Sequence, residues 1–518
     1  MKQHILDKNR RDRARVKTRE LLRSSNPYDF FRLIWAVRGL QTGSEAVHEN
    51  QFRNVPPEAI NADVTSRYYA HPWLLETLAN EYLVSNADRR LDRGATDPSK
   101  LSWDYLAELV NSLKNLEEAE TAIFGALDDV LREIVRIKYR QFHWQSGLVV
   151  FSSLYRSHYL LNAPEIHANF EKEMGVSLDL FVRCSFGLWA LSMSRPSNYL
   201  TASLERIGVT LDDKRKVISK IGYDWQSATN EASRIRDEDG EVAYKPSLLR
   251  ERPVLLLPGP PTQVFVPMVE LLFNRFTGNL FYDCVVGSDE CQNIYAERFE
   301  AYCLKLLCAS LDDSDWSGEI HYGTKNRPQL TPDILGIKDG DAALIVECKA
   351  KRVPFRFKAD IRAQEKLGEF ISELAYGQYQ IWKFAHDVRT GKFKKPELFN
   401  SVSNGAGLVV TFEDWSTTLR DFRETINDMA NQKAIDKGVE LIDADRIPTC
   451  FVCVETLERL TSCADTDSLV ESIKRYSKDF EGWDLQHVWR RLNPDNKTDR
   501  PYAFIDDLQE VLPWFDNL

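Results

Sequence analysis

The stretch Thr331-Pro-Asp-Ile-Leu-Gly-Ile-Lys-Asp-Gly-Asp-Ala-Ala-Leu-Ile-Val-Glu-Cys-Lys349 contains two short apolar runs separated by Asp339-Gly340. An Asp-Gly pair between apolar runs is typical of a two-residue β-hairpin turn. The sequence therefore predicts two paired strands, with Asp333 on the first and Glu347 near the end of the second. Because side chains alternate along a strand, Glu347 and Lys349 share one face. We expect two carboxylates and one amine to converge there.

β-rich runs and helical patterns alternate along the chain on both sides of this hairpin. The other β-rich runs are His321-Tyr322, Gly407 to Phe412 and Pro448 to Val454. Apolar residues at helical spacing recur over longer stretches, at Ala296 to Leu311, Ala359 to Val388, Trp415 to Gln432 and Asp467 to Asp479. Alternation of this kind predicts an α/β fold in which helices flank a mixed β-sheet.

The first half of the chain follows a different pattern. From Ser24 to about Arg250 the apolar residues recur every three or four positions, which is typical of amphipathic helices. The proline-rich run Pro253-Val-Leu-Leu-Leu-Pro258-Gly-Pro-Pro261 cannot continue a helix. The sequence therefore predicts a mostly α-helical regulatory or recognition region over residues 1–250 and an α/β domain over residues 251–518.

Composition sets the broad class of the protein. With 518 residues, 43% of them hydrophobic, the chain is long enough for about two to four domains. The net charge of −11 argues against a surface that is basic throughout, so contacts with nucleic acid must come from local positive patches. The nine cysteines are an odd number and are scattered, which predicts reduced thiols and a cytoplasmic location. Since no signal peptide and no apolar stretch of membrane-spanning length is visible, we expect no membrane association.

Two carboxylates and a lysine in this arrangement suit metal-assisted hydrolysis of a phosphodiester. The reaction needs a hard cation that neutralises the phosphate and lowers the pKa of the attacking water. Mg²⁺ prefers oxygen ligands, which Asp333 and Glu347 would supply. Without a cation, two carboxylates about 4 Å apart would repel each other by roughly 4 kcal/mol at a surface-like dielectric. Lys349 would orient the water and stabilise the pentavalent phosphate.

Pro332-Asp333 followed by Glu347-Cys348-Lys349 resembles the motif of the PD-(D/E)xK nuclease superfamily, which includes many restriction endonucleases, Holliday-junction resolvases and Mrr-like enzymes. The resemblance covers roughly residues 255 to 470. It implies a restriction-endonuclease-like core and Mg²⁺ as the cofactor, for which Mn²⁺ would substitute. It also implies that the backbone carbonyl of Cys348 joins Asp333 and Glu347 as a metal ligand.

The resemblance further implies polar residues on the helices that flank the motif. A helix before the motif often supplies another acid, and we assign this catalytic and metal-binding role to Glu300, with Glu297 as the alternative one helical turn earlier. A helix after the motif often adds a polar side chain that faces the site. Here Gln378 is the first choice and Gln380 the second.

Two basic stretches are candidate contacts for nucleic acid. The first follows the motif directly and contains the four residues that we predict to bind phosphates, Lys351, Arg352, Arg356 and Lys358. A solvated surface without a ligand would have the same composition. The second stretch, Lys8 to Arg23, is rich in arginine. It suits a helix that grips nucleic acid as well as one that docks on an acidic face of its own or another subunit, in a homo-oligomer or with a protein partner.

These patterns predict a Mg²⁺-dependent endonuclease that hydrolyses phosphodiester bonds in nucleic acid, with DNA favoured over RNA. By analogy alone, bacterial defence against foreign DNA, including antiviral defence, is a setting in which such an enzyme would act. Two other functions stay open. The same site would cut RNA, since its chemistry addresses the phosphate, and an inactive nuclease fold would bind nucleic acid or support assembly. The chain contains no G-x-x-x-x-G-K-[ST] loop, so an ATP motor of that type is not expected.

Overall fold

The structure is a computed structural model, and the residues that it describes are 2–43, 52–89, 96–124, 137, 140–141, 144, 150–236, 241–257, 262–325, 327–352, 364–399, 401–414, 420–480, 482–496 and 499–515. The fold divides into two units. Unit 1 comprises Met1–Val149, His167–Cys284 and Leu512–Leu518. Unit 2 comprises Val150–Ile166 and Val285–Val511.

The helices and strands follow one another along the whole chain. The described α-helices are α1 (Lys2–Arg23), α2 (Pro27–Gln41), α3 (Pro72–Ser85), α4 (Trp103–Phe124), α5 (Val150–Leu161), α6 (Pro164–Met174), α7 (Leu178–Ser194), α8 (Leu211–Ile221), α9 (Trp225–Arg236), α10 (Leu248–Glu251), α11 (Val269–Arg275), α12 (Phe281–Cys284), α13 (Asp289–Ser310), α14 (Gln364–Arg389), α15 (Arg420–Asp436), α16 (Val454–Thr461), α17 (Thr466–Asp479), α18 (Leu485–Leu492) and α19 (Leu508–Val511). The described strands are β1 (Ser197–Tyr199), β2 (Gly222–Asp224), β3 (Val254–Leu257), β4 (Gln263–Phe265), β5 (Asp315–Gly318), β6 (His321–Thr324), β7 (Arg327–Leu330), β8 (Ile334–Lys338), β9 (Asp341–Lys349), β10 (Ala406–Thr411) and β11 (Thr449–Cys453). In these residues no single helix has the length and apolar character to cross a membrane, although α6 and α7 meet that test as a bent pair.

Unit 1 is mostly helical, which agrees with the helical character predicted for residues 1–250. Helix α2 shows why its sequence starts a helix there. Asn26 Oδ1 accepts a hydrogen bond from Asp29 N at 2.9 Å, and Pro27 occupies the first turn, where its missing N–H is not needed. The apolar face of α2 enters the core, where the rings of Phe30 and Tyr82 stack with their centroids 3.9 Å apart.

The arginine-rich helix α1 is docked on acidic residues of its own chain. It lies against α4, and its arginines form ion pairs with acids of unit 1 that lie outside the helix, Arg10 with Glu118 at 3.3 Å, Arg15 with Glu120 at 2.6 Å and Arg23 with Asp88 at 3.0 Å. The Glu120 side chain is fully buried. Of the two alternatives for this helix, the structure therefore supports docking on an acidic face of the same chain.

The boundary between the units differs from the predicted cut near residue 250. Strands β3 and β4 pair with each other, and they are flanked by β2 and β1 in a four-stranded sheet of order β1-β4-β3-β2. Residues 254–257 of the proline-rich run therefore form a strand, β3, of a sheet in unit 1, and residues 258–261 lie outside the described ranges. After this sheet, the chain passes from unit 1 to unit 2 between Cys284 and Val285.

Unit 2 has the α/β organisation that the alternating patterns predict. Its main sheet is mixed and has the order β11-β10-β9-β8-β5 among the described strands. β9 pairs antiparallel with β8 and parallel with β10, while β11 is parallel to β10 and β5 is antiparallel to β8. α14 packs on β9 and β10, and α13 packs on β5 and β9. β6 and β7 form a separate two-stranded ribbon.

The hairpin of β8 and β9 confirms the prediction from its Asp-Gly pair. Lys338 pairs with Asp341, which leaves Asp339 and Gly340 as a two-residue turn with φ angles of 52° and 79°. Positive φ at both positions is what a type I′ turn requires. β9 and β10 lie inside the sheet and are buried along most of their length, which explains their nearly continuous apolar sequences.

Candidate active site

The residues of the predicted site lie at one end of the five-stranded sheet. Asp333 immediately precedes β8, and Glu347 and Lys349 lie at the end of β9. Ile334 pairs with Val346, so Asp333 lies opposite the last residues of β9. The register of the hairpin thus brings together the residues that the sequence predicts to converge.

Asp333 is joined to the backbone of β9. Cys348 N donates a hydrogen bond to Asp333 Oδ2 at 2.6 Å. Because the N–H and C=O groups of one strand residue point to the same side, the carbonyl of Cys348 also points toward the Asp333 side. The Cys348 side chain is buried. The backbone of β9 therefore orients the Asp333 carboxylate and directs the Cys348 carbonyl to the same side.

The amine of Lys349 lies between the strand and α14. Its Nζ donates to Glu347 Oε1 at 2.7 Å and to Gln380 Oε1 at 3.1 Å. Burial would lower the pKa of Lys349, but the adjacent Glu347 carboxylate outweighs it, and the pKa is raised. The lysine is therefore charged and has a fixed position.

The carboxylates of the site disfavour one another's charged forms. Burial raises the pKa of Glu347 to about 8, against the attraction of Lys349 and with added repulsion from Asp333 and Glu300. Burial, followed by repulsion from Asp333 and from Glu319, raises the pKa of Glu300 to about 7. Burial also raises the pKa of Asp333. The raised pKa values favour the protonated forms of these acids, and a bound cation would displace those protons.

Glu347 carries a buried oxygen without a hydrogen-bond partner. The residue is 1% exposed, and its Oε2 is buried and unpartnered, whereas Oε1 accepts from Lys349. Such an atom costs free energy unless a water or an ion satisfies it. Across the described ranges, no group of three or more His, Cys, Asp or Glu side chains is arranged to hold a metal ion. Since Mg²⁺ is often held by one or two carboxylates and several waters, Asp333 and Glu347 fit its requirements as a pair.

Glu300 is the acid of α13 that interacts with this site. It is partly buried, and it contributes to the raised pKa of Glu347. Glu297, the alternative from the sequence, is exposed. Glu297 influences Glu300 and is not among the groups that perturb Glu347 most. The structure therefore favours the first choice on this helix.

Helix α14 approaches β9 closely at Gly377. A Cβ added to Gly377 would lie 3.1 Å from Lys349 Cε and 3.3 Å from Glu347 Cγ, so a larger residue would press on both side chains. Gln380 lies one helical turn further on and contacts Lys349. Gln378 lies about 100° around the helix from Gly377 and donates from Nε2 to Asn427 of α15 instead. The choice of Gln378 is therefore corrected to Gln380.

The basic residues after β9 do not all face a common surface. The Arg352 side chain is 6% exposed, and its Nε donates to Glu413 Oε1 at 2.8 Å. Its guanidinium carbon lies 4.5 Å from the centroid of the Phe412 ring. The prediction that Arg352 binds phosphate is therefore wrong, because its charge is buried and paired. Lys351 is half exposed and lies 3.6 Å from Glu373 Oε1.

The other two predicted phosphate contacts, Arg356 and Lys358, lie outside the described residues. So do the beginnings of the helical patterns predicted from Ala359 and from Trp415. The described parts of these two stretches, α14 and α15, are helical as expected.

One acid near the site was missed by the sequence reasoning. Glu319 lies between β5 and β6, and burial together with repulsion from Asp333 raises its pKa. The ribbon that follows it returns to its starting point, where Ile320 N donates to Thr331 Oγ1 at 2.9 Å. Glu319 is thus brought near Asp333 by the closure of the ribbon. The spacing of residues along the sequence does not predict that the two ends of the ribbon meet.

A scan against protein-family models, a search of curated proteins and a search of solved structures each found no match to this chain.

Proposed function

We propose that this protein is a metal-dependent endonuclease of the PD-(D/E)xK type. The observation that carries the proposal is the environment of Glu347. A buried carboxylate with one unpartnered oxygen lies beside a charged lysine and is electrostatically coupled to Asp333 and Glu300. A divalent cation would satisfy that oxygen and reverse the repulsion among the acids. The order of elements, α13, then the β8–β9 hairpin, then α14, agrees with the order that the motif resemblance implies.

In this proposal the chain's own residues divide the work. Asp333 and Glu347 would hold Mg²⁺ or Mn²⁺, with Glu300 and the Cys348 carbonyl as further ligands. The bound cation would neutralise the phosphate and lower the pKa of a bound water. Lys349, held by Glu347 and Gln380, would orient the attacking water or stabilise the charge of the pentavalent phosphate.

We propose DNA as the main substrate and the cytoplasm as the location. The resemblance to restriction endonucleases supports DNA, and bacterial defence against foreign DNA is the setting that this resemblance suggests. All nine cysteines are free thiols, which supports a reducing compartment. Since the site addresses the phosphate, the assay must include RNA as a competing substrate.

The test is cleavage of plasmid, linear DNA and RNA by the full-length protein with Mg²⁺, beside Lys349→Ala. Lys338→Ala is the matched control, because Lys338 lies at the other end of the same hairpin and contacts Asp313 and Asp467 at 2.7 Å each. We expect wild type and Lys338→Ala to cut DNA, and Lys349→Ala to be severely impaired. Faster cleavage of RNA than of DNA would reassign the substrate. Undiminished cutting by Lys349→Ala would reject the proposed site.

A further inference from the structure

An exposed aromatic ring lies next to the candidate active site. Tyr376 on α14 is 41% exposed, although its neighbours Gly377 and Tyr379 on the same helix are buried. Lys349 Nζ lies 5.7 Å from the centroid of the Tyr376 ring. Since the same Nζ lies 2.7 Å from Glu347 Oε1, the ring and the proposed metal ligand are within reach of one nucleotide.

A second lysine flanks this ring. Lys433 Nζ on α15 lies 5.5 Å from the ring centroid of Tyr376, so the aromatic surface is bordered by two positive charges. α14 and α15 pack against each other, so the ring and Lys433 lie on a common surface. An aromatic face combined with cations is the combination that binds single-stranded nucleic acid, because bases stack on the ring and phosphates contact the cations.

We propose that Tyr376 and Lys433 form a platform on which the base of an unpaired nucleotide stacks beside the scissile phosphate. The inference deepens the proposed nuclease function and rests on it. Bases inside a duplex already stack on their neighbours and do not offer a free face. The preferred substrate is therefore single-stranded nucleic acid, or a duplex that is locally unpaired at the cut.

Relative magnitudes show that a base would compete successfully for this ring. A cation beside an exposed ring changes an equilibrium by about 2- to 5-fold, whereas stacking of a base on an aromatic side chain is worth about 5- to 150-fold. An arriving nucleotide would therefore displace Lys433 from the ring, and the lysine would be free to contact a phosphate. Tyr376 acts by positioning the strand, and the chemistry stays with the residues of β8 and β9.

The experiment measures binding of the full-length protein to a single-stranded DNA oligonucleotide and to its duplex, with Ca²⁺ in place of Mg²⁺ to limit cleavage. Wild type is compared with Tyr376→Ala and Tyr376→Phe. The matched control is Trp483→Ala, because Trp483 is 46% exposed and has the Arg491 guanidinium 5.6 Å from its ring, but lies between α17 and α18. A set of strands with one abasic site at successive positions locates the stacked base.

We expect Tyr376→Ala to weaken binding of the single strand by about 5- to 150-fold, and Tyr376→Phe and Trp483→Ala to bind like wild type. One abasic position should weaken wild-type binding by a similar factor and should have no further effect in Tyr376→Ala. Suppose that the wild-type protein cuts DNA. Unchanged binding of the single strand by Tyr376→Ala would then overturn this inference alone, and so would tighter wild-type binding of the duplex than of the single strand. If the wild-type protein neither binds nor cuts either substrate, the proposed function falls and this inference with it.

Discussion

Replacing Glu347 with glutamine should change how the stability of the metal-free protein depends on pH. Burial raises the pKa of Glu347 from its ordinary value of 4.5 to about 8. The folded protein therefore binds more protons than the unfolded chain between these values, and the free energy of unfolding falls as pH rises through this window. Above the pKa of the folded state, this contribution to the free energy of unfolding is completely lost. Glutamine has the size of the protonated acid and does not titrate.

The magnitude follows from the size of the shift. One proton bound by the folded and not by the unfolded state gives a slope of about 1.4 kcal/mol per pH unit, so the whole window corresponds to a few kcal/mol. Because Glu347 is almost completely buried, solvent screening does little to reduce this value. The stability of Glu347→Gln relative to wild type should therefore increase steadily from pH 5 to pH 8.

Equilibrium urea denaturation of both proteins at pH 5, 6.5 and 8, in excess chelator, measures the difference. Adding Mg²⁺ at pH 8 should stabilise wild type, by about 2.7 kcal/mol at a hundredfold excess over Kd, and should have much less effect on Glu347→Gln. A stability difference that is the same at pH 5 and pH 8 would refute the assignment of Glu347 as a buried acid with a raised pKa. Equal stabilisation of both proteins by Mg²⁺ would show that Glu347 is not a metal ligand.

Three further substitutions test separate parts of the site. Lys349→Ala should slow the single-turnover rate by about 10²- to 10⁴-fold at saturating enzyme and change substrate affinity much less. Full recovery of the rate at saturation would instead show that this lysine binds the phosphate and takes no part in the chemical step. Arg352→Ala should lower the free energy of unfolding by about 3–5 kcal/mol because it removes the buried guanidinium that pairs with Glu413. Lys351→Ala next to it should change stability by less than about 0.5 kcal/mol, and equal effects in urea denaturation would contradict the buried ion pair. Gly377→Ala should gain about 1 kcal/mol of helix propensity. It should nevertheless reduce kcat by on the order of tenfold, since the added methyl presses on Lys349 and Glu347. An unchanged kcat would mean that α14 shifts to accommodate the methyl group.

Local patterns in the sequence were sufficient for the parts of the fold that depend on neighbouring residues. The Asp339-Gly340 turn and the alternation along β9 determine which residues share a face, and the structure has the predicted hairpin. The boundary between the units depends instead on pairing between strands far apart in the chain. β3 lies beside β2 and β4 beside β1, and no local signal near residue 250 shows those partners.

The same distinction applies to the site. Gln378 and Gln380 differ by two positions on one helix, and the close approach of Gly377 to β9 decides which of them faces Lys349. A glycine inside a long helix, which costs about 1 kcal/mol relative to alanine, was the available sign of such an approach. The burial of Arg352 could not be foreseen from composition, because its partner Glu413 is on a different element.

The most direct measurement for the proposed mechanism is the single-turnover rate of DNA cleavage with Mg²⁺, Mn²⁺, Ca²⁺ or excess chelator, for wild type and Asp333→Asn. Asp333→Asn keeps the size of the side chain and its carbonyl oxygen as an acceptor for Cys348 N, but removes the charge that a cation requires. We expect wild type to cut with Mg²⁺ or Mn²⁺, to bind without appreciable cutting in Ca²⁺, and to be inactive in chelator, and Asp333→Asn to be inactive throughout. Cleavage at the normal rate in chelator, or by Asp333→Asn with Mg²⁺, would contradict a metal-dependent nuclease site at Asp333, Glu347 and Lys349.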